Sequence, residues 1–78
     1  MIKVRVFPGP FIDIELLDED GFIFLSEGST IRDLLKILRI PKIIYSIGLY
    51  TLNYNKASLK TVLENEDEFS FISPISGG

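Results

Sequence analysis

The sequence predicts an α+β fold, in which one main helix packs on one face of a mixed sheet of four to five strands. Apolar residues alternate with polar ones near both ends of the chain, at 2–6 and 67–72, which is the period of a half-buried strand. Between them, one apolar stripe of helical period covers residues 31–38. The first and last strands can pair in parallel only through a long crossover, which the helix would occupy.

Three strand-like segments precede the helix. The first, at 2–6, alternates apolar and charged residues and ends at the Pro-Gly-Pro of residues 8–10. Residues 12–16 alternate in the same way, and residues 22–25 form a short apolar run. The pattern leaves open which of these two pairs with the first strand and which is an extended loop.

The helix has start and stop signals at both ends. Ser29-Thr30 followed by Asp33 is typical of an N-terminus, where a hydroxyl caps early amides and a carboxylate favours the positive end. Arg39 suits the negative end, and Pro41 is expected to end the helix. The apolar stripe consists of Ile31, Leu34, Leu35 and Leu38.

The second half of the chain completes the sheet. Residues 43–47 and 49–54 are predicted to be two strands separated by a glycine, and residues 57–63 a short helical turn. Residues 67–72 are predicted to form the last strand, with both phenylalanines on one face. This order of elements is that of a β-grasp fold.

Length and composition indicate a single domain without disulfides. The chain has 78 residues, 46% of them hydrophobic, and no Cys or His. We expect residues 1–72 to form the β-grasp domain and residues 73–78 an extended C-terminal tail. The net charge of −3 argues against a nucleic-acid partner. No stretch resembles a signal peptide or a membrane span, so we expect a cytoplasmic protein that does not contact membranes.

The acidic clusters do not predict a catalytic or metal site. A calcium loop needs oxygen ligands spaced through about twelve residues, a pattern that residues 18–21 lack. We therefore interpret residues 18–20 and 64–68 as solvated turns, and we predict no metal site. Without His, no Ser or Thr has an evident activating base, and there is no glycine-rich phosphate loop. The sequence does not predict a stand-alone enzyme.

The last six residues carry the strongest functional signal. Gly77 and Gly78 lack side chains, so they can enter a channel too narrow for any Cβ and present the Gly78 carboxylate to a partner enzyme. Pro74 gives the tail a defined direction, and the four residues after it reach about 13 Å when extended. We expect the Gly78 carboxylate to carry the chemistry, with Pro74, Ile75, Ser76 and Gly77 binding the partner. The alternative is an ordinary frayed terminus.

Three stretches resemble the MoaD/ThiS family of ubiquitin-like sulfur carriers. Residues 26–35 (SEGSTIRDLL) are similar to its strand-to-helix entry, residues 63–69 (LENEDEF) to its turn into the last strand, and residues 73–78 (SPISGG) to its tail. The family usually has Gly before the Asp of that turn, where this chain has Glu66. The tail is more similar to the small subunit of molybdopterin synthase, MoaD, than to the thiamin carrier.

The resemblance implies a reaction sequence and its partners. An adenylating enzyme similar to MoeB or ThiF would activate the Gly78 carboxylate with ATP, and sulfur from a persulfide-bearing donor enzyme would replace the adenylate. The thiocarboxylate would then donate sulfur to the large subunit of molybdopterin synthase or, alternatively, to thiazole synthase. The chain itself would bind no cofactor, since the partner enzyme uses the ATP.

Two other classes of function fit the same residues. A ubiquitin-like protein modifier would join Gly78 to a lysine, and the sequence does not separate this from sulfur carriage. A non-covalent β-grasp interaction module would not need the terminal carboxylate at all.

A second binding surface is expected on the domain. Ordering the tail costs several kcal/mol, and four residues including two glycines bury too little apolar surface to offset this. The sheet face opposite the helix is the expected place. Phe7 is predicted to point to that face and is our candidate for partner binding. Residues that a single helix-on-sheet core does not obviously bury are Phe7, Phe11, Ile37, Tyr45, Tyr50 and Tyr54.

Overall fold

The computed structural model describes residues 1–7, 9, 12–47 and 49–72, which contain one five-stranded sheet, two α helices and a 3-10 helix. The strands are β1 (Ile2–Val6), β2 (Phe22–Leu25), β3 (Leu49–Leu52), β4 (Asn55–Lys56) and β5 (Glu68–Ile72). The α helices are α1 (Ile31–Ile37) and α2 (Lys42–Ile47), and the 3-10 helix is Ile14–Leu16. The predicted α+β class with a mixed sheet and one main helix is confirmed.

The sheet has the order β2-β1-β5-β3-β4. β1 and β5 pair in parallel, with Arg5 opposite Glu68 and Val6 opposite Phe69. All other neighbours pair antiparallel. The prediction that the first and last strands pair in parallel through a crossover containing the helix is therefore confirmed.

The core lies between one face of the sheet and α1. All four residues of the predicted stripe on α1 are at most 1% exposed, as are Val4, Val6 and Phe69. β1 alternates buried and half-buried residues, as its sequence predicts. The buried apolar residues are Ile2, Val4, Val6, Ile12, Ile23, Leu25, Ile31, Leu34, Leu35, Leu38, Ile40, Tyr45, Leu63, Phe69 and Phe71.

The two ends of α1 differ in how well the sequence predicts them. The start is confirmed, since the Thr30 side chain accepts from the Asp33 N–H while Asp33 accepts from the Thr30 N–H. The helix ends before Pro41, at a left-handed residue, Arg39, with φ 61°. The Ile40 N–H donates to the Leu35 carbonyl and the Arg39 N–H to the Lys36 carbonyl, both at 3.1 Å, which is a Schellman motif. The helix therefore stops before Pro41, as predicted, although the Schellman motif at Arg39 and Ile40 already ends it ahead of the proline.

The prediction of a strand at 43–47 is wrong, because the chain after Pro41 forms the helix α2 instead. The Pro41 carbonyl accepts from the N–H groups of Ile44 (2.9 Å) and Tyr45 (3.1 Å), the first bonds of α2. Tyr45 is buried while Ile43 is 72% exposed, so the apolar run is not the buried strand it resembles. Short apolar runs of this kind do not distinguish helix from strand.

The predicted strand at 12–16 is a 3-10 helix. The Asp13 side chain caps it by accepting from the Glu15 N–H at 3.0 Å. Ile12 is buried and Ile14 is 65% exposed, so the period-two pattern does not correspond to one buried face. Residues 22–25 provide the antiparallel partner of β1, which settles the choice that the sequence leaves open.

The predicted strand at 49–54 ends at Leu52 and turns into a hairpin. Asn53 and Tyr54 have φ values of 53° and 69°, and they connect β3 to the two-residue strand β4. A two-residue loop with both φ values positive is a type I′ turn. Residues 57–63 contain a turn closed by the Thr61 N–H on the Ser58 carbonyl, at 3.1 Å, and no helix.

Candidate functional site

The predicted reagent and the predicted tail contacts lie outside the described residues. They are Pro74, Ile75, Ser76, Gly77 and Gly78. What the structure describes is β5, from which this segment continues. β1 pairs with the first two residues of β5, Glu68 and Phe69, whereas β3 pairs with residues 69–72, so the last residue, Ile72, lies opposite Leu49. The point from which the tail continues is therefore fixed relative to the sheet.

A polar network centred on Asp67 holds the start of β5. The Asp67 carboxylate accepts from the Asn53 side-chain amide at 2.9 Å and from the Glu64 N–H at 2.7 Å. Asn53 in turn accepts from the Glu68 N–H at 2.9 Å, and the Asp67 carbonyl accepts from the Arg5 N–H at 2.9 Å. Asp67 is only 9% exposed, so the prediction that residues 64–68 form a solvated turn is wrong at this position. The Asp67 carboxylate therefore links the β3–β4 hairpin to β5, the strand that precedes residues 73–78.

Phe7 directly follows β1 and continues its pairing with β5. Its N–H donates to the Phe69 carbonyl at 3.0 Å. Since Val6 is buried in the core, strand alternation places Phe7 on the opposite side of the sheet, as predicted. The Phe7 ring is half-buried, and its centroid lies 6.4 Å from that of Tyr54, which is 79% exposed. Its role in partner binding stays a prediction.

The outer sheet face also carries aromatic and basic residues that sequence analysis did not single out. Phe24 is 56% exposed and pairs with Lys3, while Phe22 pairs with Arg5. The Lys3 Nζ lies 4.6 Å from the Phe22 ring centroid and the Arg5 Cζ 4.9 Å, distances typical of cation–π contacts. Alternation within residues 22–25, once they are assigned to a strand, is the signal that would have placed both phenylalanines on this face.

The apolar residues that a single helix-on-sheet core does not obviously bury differ in their burial in the structure. Tyr45 is buried, and Tyr50 packs against the core with its ring centroid 6.5 Å from that of Phe69. Ile37 is 44% exposed. Phe11 lies outside the described residues.

The part of the chain that the structure describes contains no group of three or more His, Cys, Asp or Glu placed to hold a metal. Nor does any buried side-chain nitrogen or oxygen there lack a hydrogen-bond partner. Hydrogen bonds from the Thr30 backbone and side chain lower the pKa of Asp33, and this carboxylate belongs to the helix cap. No helix in the described ranges is long and apolar enough to cross a bilayer. Asp33 therefore has a structural role.

Comparison with known proteins places this arrangement among ubiquitin-like β-grasp folds. No protein-family model matches the chain, and no curated protein matches it in sequence. Two crystal structures are similar to it over nearly their whole length.

One of these structures is SAMP1 from Haloferax volcanii, with a TM-score of 0.59 and 16% sequence identity, covering 99% of this chain and 98% of that chain. The other is H. volcanii small archaeal modifier protein 1, with a TM-score of 0.61 and 16% identity, covering 95% of this chain and 97% of that chain. At this identity the similarity shows the fold.

Proposed function

We propose that this protein is a ubiquitin-like sulfur carrier whose Gly78 carboxylate is adenylated and then converted to a thiocarboxylate. The adenylating partner, similar to MoeB or ThiF, consumes the ATP. The persulfide of a donor enzyme attacks the adenylate and releases AMP, and a thiol outside this chain, which has no Cys, then cleaves the resulting acyl disulfide to leave the thiocarboxylate and a disulfide. The thiocarboxylate donates this sulfur in cofactor biosynthesis, with the large subunit of molybdopterin synthase as the favoured recipient and thiazole synthase as the alternative.

The observation that carries this proposal is the position of the Gly-Gly segment after β5. The sequence continues for six residues beyond β5, a strand that pairs with β1 at its start and with β3 through its last residue. These six residues include Pro74 and the side-chain-free Gly77-Gly78. Because the end of β5 is fixed in the sheet, a partner that binds the domain can position the Gly78 carboxylate at the partner's own reactive centre. The chemistry also requires a partner, because a carboxylate is a poor acyl donor until an oxygen becomes part of a good leaving group.

A role as a covalent protein modifier is the second candidate, favoured by the similarity to a structure named small archaeal modifier protein 1. Both functions share the adenylated Gly78 and differ in the nucleophile. Sulfur gives a thiocarboxylate, whereas a lysine amine gives an amide bond to another protein.

The test is to incubate the purified 78-residue chain with a cognate adenylating enzyme, ATP, a persulfide donor and a thiol reductant, and to measure intact mass. If the protein is a sulfur carrier, the mass should rise by the difference between one sulfur atom and the carboxylate oxygen atom that it replaces. A lysine conjugate would support the modifier instead, and an unmodified chain would contradict both functions.

Two matched variants show whether the terminal carboxylate is the reagent. One carries an extra alanine after Gly78 and the other lacks Gly78. We expect neither to be activated, while both retain the melting temperature of the wild type, because the buried apolar residues in the described part of the chain lie between Ile2 and Phe71. Normal activation of the extended variant would overturn the proposed role of Gly78.

A further inference from the structure

An open cleft lies beside the loop that connects β1 to β2. Its volume is about 260 Å³, and its lining residues are Val6, Ile14, Leu17, Asp18, Glu19 and Gly21. Val6 is 1% exposed and Ile14 is 65% exposed, so buried and accessible apolar groups meet at this site. Asp18 and Glu19 add two exposed carboxylates to this apolar lining.

The cleft lies in one of the two acidic segments of the chain, the other being residues 64–68. Residues 13–20 contain five carboxylates and no Lys or Arg, and all five residues are exposed. The rest of the chain has six carboxylates against eight cations, so without this segment the formal charge would be +2 instead of −3. A basic partner is therefore attracted to this loop as well as to residues 64–68, and at this loop the cleft adds an apolar lining.

The backbone beside the cleft is shaped by two of these carboxylates. Asp13 accepts from the Glu15 N–H at 3.0 Å, and Asp18 accepts from the N–H groups of Asp20 and Phe22, both at 2.9 Å. Because Asp18 holds this turn together, Glu19 is the lining carboxylate best suited to substitution.

From the apolar lining and the surrounding negative charge we propose that this cleft is a docking site for an arginine in a basic segment of a partner protein. The aliphatic stem of an arginine packs against Ile14 and Leu17 while its guanidinium reaches the carboxylates of Asp18 and Glu19. The volume is below the range of about 300–1,000 Å³ that is usual for small-molecule sites, and the cleft is open, which favours a side chain of a protein over a free metabolite.

The cleft lies at the end of the sheet from which residues 73–78 continue. β5 runs parallel to β1, so the C-terminal ends of both strands lie at the same edge as Val6 and Gly21. A partner docked there lies at the end of the sheet where β5 also ends. The docking itself does not depend on the chemistry proposed for Gly78, and it can be tested without an adenylating enzyme.

The test is an NMR titration of the ¹⁵N-labelled full-length chain with the acetylated, amidated peptide Arg-Leu-Arg. The same peptide with both arginines replaced by glutamate is the control. We expect saturable shifts centred on residues 13–21 with the basic peptide, weakened by added salt, and none there with the acidic peptide. Shifts centred elsewhere, or equal shifts with both peptides, would overturn the proposal.

Two variant pairs separate this site from general charge attraction. Glu19→Gln should weaken binding of the basic peptide about threefold. Glu27→Gln, which removes another exposed carboxylate, should leave this binding unchanged. Ile14→Ser should weaken binding of the basic peptide by a similar factor. Ile43→Ser, at a residue that is 72% exposed on α2, should leave this binding unchanged. If the control variants weaken binding as much as Glu19→Gln and Ile14→Ser, the cleft is not the site.

Discussion

At the scale of single residues, Glu66 occupies a backbone conformation that suits glycine. Its φ is 67°, and its side chain is exposed in the turn that leads into β5. The left-handed conformation costs a residue with a Cβ about 1–2 kcal/mol, whereas glycine adopts it freely. The family that this turn resembles usually has Gly here, and the φ value gives the physical reason.

We therefore predict that Glu66→Gly stabilises the protein by about 0.5–1 kcal/mol, which allows for the greater freedom that glycine gives the unfolded chain. Urea unfolding measures the difference. Glu64→Gly is the control in the same turn, because Glu64 does not have a positive φ, and it should destabilise. A Glu66→Gly variant no more stable than the wild type would contradict this account of the turn.

Asp33 makes the stability of the domain depend on pH. Its carboxylate accepts from the Thr30 N–H at 2.9 Å and from the Thr30 hydroxyl at 3.2 Å, and these bonds lower its pKa in the folded state. A pKa that is lower in the folded than in the unfolded state contributes stability above the unfolded value of 3.8, and this contribution is lost as the pH falls through the folded value.

We expect Asp33→Asn to be less stable than the wild type at neutral pH, and the gap to close as the pH falls below about 4. Urea midpoints measured across this range test the prediction. Glu27→Gln, an exposed carboxylate outside the cap, serves as the control. A gap that remains constant down to low pH would show that the cap does not act through the charge of Asp33.

At the scale of elements, the sequence predicts best where several local signals agree. For α1, the capping residues and the apolar stripe point to the same helix, and the structure contains it. For residues 43–47, β-branched residues favour a strand, but the Pro41 carbonyl accepts the first two bonds of a helix. Residues 12–16 have a strand period by coincidence, because the Asp13 side chain closes a 3-10 turn. Hydrogen bonds that backbone N–H groups donate to side chains and turn carbonyls are not visible in an apolar pattern.

The Asp67 network is one part of the site that sequence analysis misses, besides the aromatic and basic residues on the outer sheet face. An aspartate in an acidic turn is usually solvated, and the sequence does not show that Asn53 lies within hydrogen-bonding distance of it. We predict that Asp67→Ala destabilises the domain by about 2–3 kcal/mol, since it leaves the Asn53 amide and the Glu64 N–H without their acceptor. Denaturant unfolding measures this loss. Glu64→Ala should be nearly neutral, because only the backbone of Glu64 enters the network, and an equal loss in both variants would contradict the role of Asp67.

At the scale of the whole molecule, the domain has two different faces. One side of the sheet is covered by α1, while the other exposes Phe24 and Leu49, which are 56% and 53% exposed. Alternation and charge predict this arrangement from the sequence. The tail chemistry is a prediction from residue type alone, since its residues lie outside the described ranges.

Phe7→Ala tests whether the outer face contributes to partner binding. Because the Phe7 ring is half-buried beside Tyr54, we expect its removal to weaken the complex with the adenylating enzyme about tenfold, with little loss of stability. Partner affinity is measured for Phe7→Ala and for the chain truncated after Ile72. Ile43→Ala, on α2, is the surface control. Wild-type affinity in Phe7→Ala, together with no residual binding of the truncated chain, would contradict a contribution from this face.

Gly77→Ala tests the idea that the tail enters a narrow channel. The buried apolar residues in the described part of the chain lie between Ile2 and Phe71, so we expect a change at residue 77 to leave the melting temperature unchanged. An added Cβ restricts the accessible φ range and enlarges the chain next to the reacting carboxylate, so turnover by the adenylating enzyme should fall at least about tenfold. Ser76→Ala removes only a hydroxyl one residue earlier and should be close to wild type. Because both variants keep the Gly78 carboxylate, a loss confined to Gly77→Ala would indicate that the partner encloses the chain tightly at that position. Equal turnover in Gly77→Ala and the wild type would show that the channel tolerates a side chain there.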